Sequence, residues 1–478
     1  MARICETVTA STMTDLRRGR DRATAADLVE LRLDGVADVD VAGALEGRTR
    51  PVIVTCRPAW EGGAFRGSEE ERLRLLGEAI RLGAEFVDVE WRADRAGLPA
   101  SARTRLVLSL HDYDGVPPDL AARVRSMRAS AGQGVIKIAV KTTTIADCVR
   151  LRDAAGTGTD QVVIGMGAAG VVTRVCPWLY DSQWTYGGDA APGQTPVGDL
   201  IDIYRVRRTT RATSIYALVG APLVHSASPA MLNAAFVAAG LDAVYVPMET
   251  RGAAEFLGAA DAFGLAGVSV TAPLKTAFAP FGVHVDEAGR EVGAINTLKR
   301  EGTGWYGRNF DVDGFLAPLL RRGHDWRDGR AVVLGAGGAA RAVAWALKRE
   351  GARVEIAARR FDAARSLASA VGVEAVPWPP EPGWDLLVNA TPVGTWPDAD
   401  KTPLAAASVR GRVVYDLVYN PPETTLLRQA RSAGAETIGG LEMLVAQAEA
   451  QFTYWTGLPA PVGVMARAAI EFLRRWSA

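Results

Sequence analysis

GVIKIAV, residues 134–140, carries a single lysine, Lys137, between Ile136 and Ile138 in an otherwise apolar run. Side chains along a strand alternate between its two faces, so a lysine here is either desolvated in an interior or snorkelling out at a strand end. The run is the sixth of eight β-like segments, at 3–8, 27–33, 52–57, 86–90, 105–111, 135–139, 161–166 and 183–186. Amphipathic stretches such as 69–82 and 119–131 separate several of them. Strands alternating with helices predict a parallel sheet, and eight such units within the first 208 residues predict a (β/α)₈ barrel.

Lysine is scarce. It occurs only at 137, 141, 275, 299, 348 and 401, although Lys and Arg together number 54. Arginine keeps its proton near neutral pH, whereas a lysine can be induced to lose one. A buried Lys137 with a lowered pKa would suit nucleophilic attack on a ketone. The competing reading pairs it with Glu30 or Glu90. In a barrel of this kind the chemistry gathers at the C-terminal strand ends. Arg57 closes the third run, Glu61 follows in PAWEGG, and His111 closes the fifth in LSLHDY. Arg174 follows the seventh run, and Gln194 ends AAPGQ after the eighth. His111 is either a proton carrier or a satisfied structural histidine.

Composition narrows the classes. A chain of 478 residues exceeds one core, so two or three domains are expected. The net charge of zero argues against nucleic acid or an anionic membrane as partner. No run of 18 apolar residues occurs, and the first residues lack a signal-peptide pattern. Cys5, Cys56, Cys148 and Cys176 fit neither zinc nor redox spacing and read as free thiols, with a cytoplasmic location expected and no metal.

The front segments together resemble type I 3-dehydroquinate dehydratase: VELRLDG with Glu30 and Arg32, VTCRPAWEGG with Arg57 and Glu61, LSLHDY with His111, VIKIAV with Lys137, VTRV with Arg174 and AAPGQ with Gln194. The resemblance implies that Lys137 forms an imine with a substrate ketone. It also implies that His111 moves protons with Glu61 orienting it, and that Arg174 holds a carboxylate. Ala190 stands where the family has serine.

Residues 209–214, TTRATS, read as a linker. Behind it, strand-like runs at 215–219, 243–247 and 267–271 suggest one α/β lobe. The run 331–334 leads into GAGGAARAVAWAL and begins another, with strands expected near 353–357, 385–389 and 413–417. A glycine motif after a strand and opening a helix is a dinucleotide-binding turn. It comprises Gly335, Ala336, Gly337, Gly338, Ala339 and Ala340. Arg359 and Arg360 end the next strand, where an NAD enzyme has an acid. They suit a 2′-phosphate and favour NADP, unless they are merely a solvated helix start.

HSASP with Ser226 and Ser228, VSVTAPLK with Thr271 and Lys275, AINT with Asn296 and GRNFDVDG with Asp311 resemble shikimate dehydrogenase. So do NATPVG with Asn389 and Thr391, YNPPET with Tyr419, and GGLEMLVAQAEAQF with Gly440, Gln447 and Gln451. Taken alone, Lys275 and Asp311 would read as a surface ion pair. The resemblance makes them a catalytic dyad, gives the carboxylate to Ser226 and Ser228, and gives the polyol pocket to Thr271, Asn296, Tyr419, Gln447 and Gln451. Ser269 and Phe310 depart from the family pattern.

The expected fold is therefore α/β: a barrel over 1–210, then a two-lobed shikimate dehydrogenase. Its substrate lobe covers 215–316, completed by 445–478, and its Rossmann NADP-binding lobe covers 317–444. The expected substrates are 3-dehydroquinate and 3-dehydroshikimate. The alternatives are an NAD-dependent quinate/shikimate dehydrogenase, or a non-catalytic quinate-pathway regulator that keeps binding residues and loses Lys137, His111, Lys275 or Asp311.

Overall fold

Every apolar run of the first 208 residues becomes a strand in the computed structural model, which describes residues 2–188 and 194–475. The described residues form two compact units. In the first, eight strands lie side by side: β1 (Arg3–Thr9), β2 (Leu28–Arg32), β3 (Val52–Thr55), β4 (Phe86–Glu90), β5 (Arg105–Asp112), β6 (Val135–Lys141), β7 (Gln161–Met166) and β8 (Trp184–Gly187). Their order is β7-β6-β5-β4-β3-β2-β1-β8, and each neighbouring pair is parallel. An isolated parallel bridge between Gln161 and Ser182 closes the ring.

Period-two alternation divides each strand. One face of β2, β3 and β4, with Val29, Leu31, Val52, Val54, Val87 and Val89, packs on the helices outside. The other face carries Cys5, Leu28, Ile53, Phe86, Val107, Val135, Val162 and Trp184 into an apolar plug. A polar layer stands above the plug, because the same inward alternation continues through Glu30, Asp88, Ser109 and Lys137. Register places Glu90 beside Ser109, Ser109 beside Lys137 and His111 beside Ala139. Helix starts are fixed by side-chain caps: Ser68 Oγ accepts from the Glu71 N–H at 3.1 Å, and Thr144 forms a capping box with Asp147. All four cysteines are free and buried, and burial pushes the Cys56 and Cys148 thiols up to about 12.

The rest of the chain builds two further sheets. The first contains β9 (Ser214–Gly220), β10 (Ala243–Glu249), β11 (Leu265–Val270), β12 (His284–Val285), β13 (Thr297–Glu301) and β14 (Gly304–Arg308), in the order β10-β9-β11-β13-β14-β12. The antiparallel hairpin β13–β14 departs from the sequence expectation, since its charged TLKRE lacks the apolar signature of a strand. The second contains β15 (Arg330–Leu334), β16 (Arg353–Ala357), β17 (Glu374–Val376), β18 (Trp384–Asn389), β19 (Gly411–Asp416) and β20 (Glu436–Gly439). It is parallel throughout, in the order β17-β16-β15-β18-β19-β20. This order reverses between β15 and β18, and such a switch point opens a crevice beyond the strand ends.

Candidate active sites

At the C-terminal end of the barrel, Glu30, Arg32, Arg57, His111, Lys137, Arg174 and Gln194 line one cavity of about 350 Å³. Thr7, Tyr113, Lys141 and Tyr186 share its wall. Lys137 Nζ lies 3.1 Å from Asp88 Oδ2 and 3.2 Å from Glu30 Oε1. It also sits 4.5 Å from the centroid of the Tyr186 ring. Burial disfavours the ammonium, but Asp88 and Glu30 outweigh it and raise the Lys137 pKa. This corrects the expectation of a lowered value: two buried carboxylates hold the proton on the amine. Glu90, the alternative partner, is instead paired with Arg57 and Arg72.

The carboxylates are themselves held. Asp88 Oδ1 accepts from Arg57 Nη2 at 2.8 Å and from Ser109 Oγ at 2.6 Å. Glu30 accepts from Thr55 Oγ1 at 2.9 Å and Thr7 Oγ1 at 3.0 Å. Arg57 also donates to Glu90 and Ser109, each at 2.6 Å. Asp34 clamps Arg32 through two hydrogen bonds of 2.8 Å and accepts from the Ala64 N–H at 3.0 Å, tying β2 to the loop that carries Glu61.

Glu61 Oε1 meets both the backbone N–H and Nδ1 of His111, each at 2.9 Å. Burial raises the Glu61 carboxyl to about 7. Burial first, and then Arg57, hold His111 well below its usual value, so the ring is neutral. When Glu61 is ionised, Nδ1–H donates to it and Nε2 is left as a base. Arg174 is 3% exposed, donates from Nη1 to the Gly165 carbonyl at 2.6 Å and leaves Nε without a partner. Burial lowers this guanidinium to about 10, so the site gains from an arriving anion. Ala190 lies outside the described residues.

A second site forms where β11, β13 and the helix Asp311–Arg321 converge. Lys275 Nζ stands 2.5 Å from Asp311 Oδ2, and Asn296 Nδ2 donates to Asp311 Oδ1 at 2.9 Å. Asn296 Nδ2 also lies 3.4 Å from Gln447 Oε1. Gln451, expected in the polyol pocket, gives Nε2 to the Asn296 carbonyl at 3.1 Å and to Thr297 Oγ1 at 2.8 Å, so both hydrogens are engaged by the protein. Ser226 Oγ accepts from the Ser228 N–H at 3.3 Å, and the Tyr419 hydroxyl hydrogen-bonds Ser226. Burial raises the Tyr419 pKa. Thr271 follows β11 directly, its N–H bonded to the Val219 carbonyl at 2.8 Å. The Phe310 ring packs against Tyr454, with centroids 5.6 Å apart.

The β15–β18 crevice fits a dinucleotide. Gly335 has φ +115°, and a Cβ there would meet the Ala390 carbonyl at 3.0 Å. Gly337 faces open space, and the helix Gly338–Arg349 begins without a side-chain cap. The N–H groups of Gly338, Ala339 and Ala340 are therefore free to meet a phosphate. Asn389 Oδ1 accepts from Thr391 N at 3.1 Å and Thr391 Oγ1 at 2.7 Å, fixing the turn after β18. Gly440 opens the helix Gly440–Thr456 against the Leu417 carbonyl. Arg359 and Arg360 are exposed just beyond β16, and among the described residues no carboxylate pairs with either. Gly338 also lies close to Lys275: a Cβ there would lie 3.3 Å from both Cβ and Cδ of that lysine.

Sequence reasoning missed Asp88, Ser109 and Thr297. The first two were open to it: in FVDVE and LVLSLHD, period-two counting from Glu90 or His111 brings each to the inner face.

Comparison with known proteins finds relatives for both parts of the chain. A family model for type I 3-dehydroquinase matches residues 4–211. Models for the shikimate dehydrogenase substrate binding domain and the shikimate 5′-dehydrogenase C-terminal domain match residues 218–298 and 440–470. A bifunctional 3-dehydroquinate dehydratase/shikimate dehydrogenase of Arabidopsis thaliana, described as chloroplastic, is 35% identical over 91% of this chain and 78% of its own length. A shikimate dehydrogenase (NADP(+)) of Moorella thermoacetica is 42% identical over 54% of this chain and 94% of its own. The crystal structure of shikimate 5-dehydrogenase from Thermus thermophilus in complex with NADP(H) and shikimate matches with a TM-score of 0.51 and 36% identity, over 54% of this chain and all (100%) of that one.

Proposed function

The chain belongs to the family of bifunctional 3-dehydroquinate dehydratase/shikimate dehydrogenases, and on that premise we propose that its two sites run consecutive reactions, the first making 3-dehydroshikimate and the second reducing it to shikimate with NADPH. We assign the dehydratase to residues 1–210, the substrate lobe to 215–316 with 445–478, and the NADP lobe to 317–444. No helix among the described residues is long and apolar enough to cross a membrane.

In the barrel, Lys137 adds to the C3 ketone of 3-dehydroquinate and water leaves, giving an imine. Before attack its extra proton passes to a neighbouring carboxylate, Glu30 or Asp88. The imine drains electrons from C2, and His111 Nε2 takes the C2 proton. The same nitrogen then protonates the C1 hydroxyl, which leaves as water. Arg174 holds the substrate carboxylate, while Arg32, Arg57 and Gln194 shape the pocket. Hydrolysis of the imine frees the product.

In the second site, NADPH would be held by the turn Gly335–Ala340 with Arg359 and Arg360 at its 2′-phosphate, and would supply the hydride that reduces the ketone of 3-dehydroshikimate. Lys275 supplies the proton that the developing alkoxide needs, and Asp311 holds the ammonium in place. Ser226 and Ser228 take the carboxylate; Thr271, Asn296, Tyr419 and Gln447 face the hydroxyls. Gln451 spends both Nε2 hydrogens on Asn296 and Thr297 and takes the Ser269 hydroxyl on Oε1, so it acts on the pocket through Asn296.

The observation that carries this reading is that two separate proton-handling sets, Lys137 with His111 and Lys275 with Asp311, are assembled in one chain. A regulator needs neither. The test is a coupled assay: 3-dehydroquinate and NADPH mixed with the protein should yield shikimate with loss of NADPH absorbance. Absorbance that holds steady with 3-dehydroquinate and also with 3-dehydroshikimate refutes the reading.

A further inference from the structure

Ser269 and Thr297 face each other across the antiparallel ladder of β11 and β13. An unbroken chain of hydrogen bonds runs from them to the dyad. Ser269 Oγ donates to Gln451 Oε1 at 2.7 Å, and Gln451 Nε2 donates to Thr297 Oγ1 at 2.8 Å. Thr297 Oγ1 donates to Asn296 Oδ1 at 2.8 Å, and Asn296 Nδ2 donates to Asp311 Oδ1 at 2.9 Å. All five residues are buried, so water does not substitute for any link.

Backbone groups at two points set the direction of every bond. Side-chain amides are reversible in principle, and their surroundings decide which end points where. The Asn296 carbonyl can only accept, so Gln451 must turn Nε2 toward it, at 3.1 Å. The Phe310 N–H can only donate, so Asn296 must turn Oδ1 toward it, at 2.8 Å. The Thr297 hydroxyl accepts from Gln451 and therefore spends its one proton on Asn296 Oδ1. Asn296 is left with its NH₂ facing Asp311. The opposite orientation would set a carbonyl oxygen against a carboxylate, which a buried site tolerates poorly.

We propose that Thr297, together with Ser269 and Gln451, is a positioning relay for the Lys275–Asp311 pair. It locks the Asn296 amide so that Asp311 receives a donor on Oδ1 and keeps Oδ2 for the Lys275 ammonium. The proposal rests on the reading of Lys275 and Asp311 as the proton-transfer pair. Thr297 and Ser269 act through other residues, so their loss lowers kcat and spares KM. Ser269, a departure from the family pattern, is thereby accounted for, because its hydroxyl is the donor that fills Gln451 Oε1.

The test uses the full chain and shikimate oxidation with NADP. Thr297→Val keeps the shape and removes the hydroxyl. It should lower kcat about fivefold to tenfold, the scale of one buried hydrogen bond, with KM changed less than about twofold. Thr297→Ser should restore kcat to within about twofold of wild type. Dehydratase activity of the same preparations reports folding. Lys275→Ala is measured in parallel. If it keeps a normal kcat, the reading of the dyad fails. If it loses kcat while Thr297→Val stays normal, only the relay fails. A Thr297→Val variant that raises KM alone, or a Thr297→Ser variant no better than valine, also overturns the relay. Should Thr297→Val not fold, Ser269→Ala carries the test: a loss of about threefold in kcat at unchanged KM supports the relay, and a wild-type kcat overturns it.

Discussion

Lys137 Nζ lies 3.1 Å from Asp88 Oδ2, and that contact, with Glu30 on the other side, keeps the amine protonated until substrate arrives. Borohydride added with 3-dehydroquinate should trap an adduct on Lys137, read by peptide mass spectrometry. Because Asp88 raises the Lys137 pKa, Asp88→Asn should move the pH midpoint of trapping down by at least about one unit. An adduct on another residue sinks the nucleophile assignment. An unmoved midpoint sinks the role of Asp88.

Dehydration should lose rate as pH falls through about 7, because burial raises the Glu61 carboxyl to that range. The sign follows from the pair. His111 stays neutral across this window, and the ionised Glu61 is what holds its Nδ1–H. Protonating Glu61 removes the acceptor and frees the ring. Glu61→Gln should flatten this acid limb of kcat/KM and cost about tenfold at its plateau. A limb that persists unchanged in Glu61→Gln belongs to another group.

NADPH should be preferred over NADH, since Arg359 and Arg360 lie exposed beyond β16 and, among the described residues, pair with no carboxylate. One charge-assisted contact to a 2′-phosphate is worth about 1.5–3 kcal/mol, roughly ten- to a hundredfold. Arg359→Ala should raise the KM for NADPH by about that factor and leave the KM for NADH nearly unchanged. Equal kcat/KM for the two cofactors in the wild type would refute the assignment.

Lys275→Ala should lower shikimate dehydrogenase kcat by at least about a hundredfold, with a smaller effect on KM because Ser226 and Ser228 remain. Lys275→Arg should not rescue fully, since guanidinium is a poor proton donor near neutral pH. Dehydratase activity should survive both changes. A near-normal kcat with a greatly raised KM would make Lys275 a binding residue.

The barrel was legible because its strands are apolar runs of Val, Ile and Leu, and Lys137 stood out against them. Its surroundings were harder to read. A charge inside a strand announces itself, but which carboxylate reaches it depends on register between strands far apart in the chain. Lys137 meets Glu30 and Asp88, separated from it by 107 and 49 positions. The sign of its pKa shift followed those partners and not burial alone. In the second half, the glycine pattern marked the turn that leads from β15 into the next helix. The hairpin β13–β14 stayed hidden because charged residues mark it, and with it the hydroxyl of Thr297.

The closeness of Gly338 to the stem of Lys275 bears on how this enzyme can be re-engineered. The cofactor crevice has two ends with different mutational freedom. At the far end, Arg359 and Arg360 are exposed just beyond β16, so substitution there can probe the choice between NADPH and NADH. At the near end, a Cβ added to residue 338 would crowd the stem of Lys275. A library that swaps cofactor preference should therefore vary the strand end after β16 and leave the glycine turn alone.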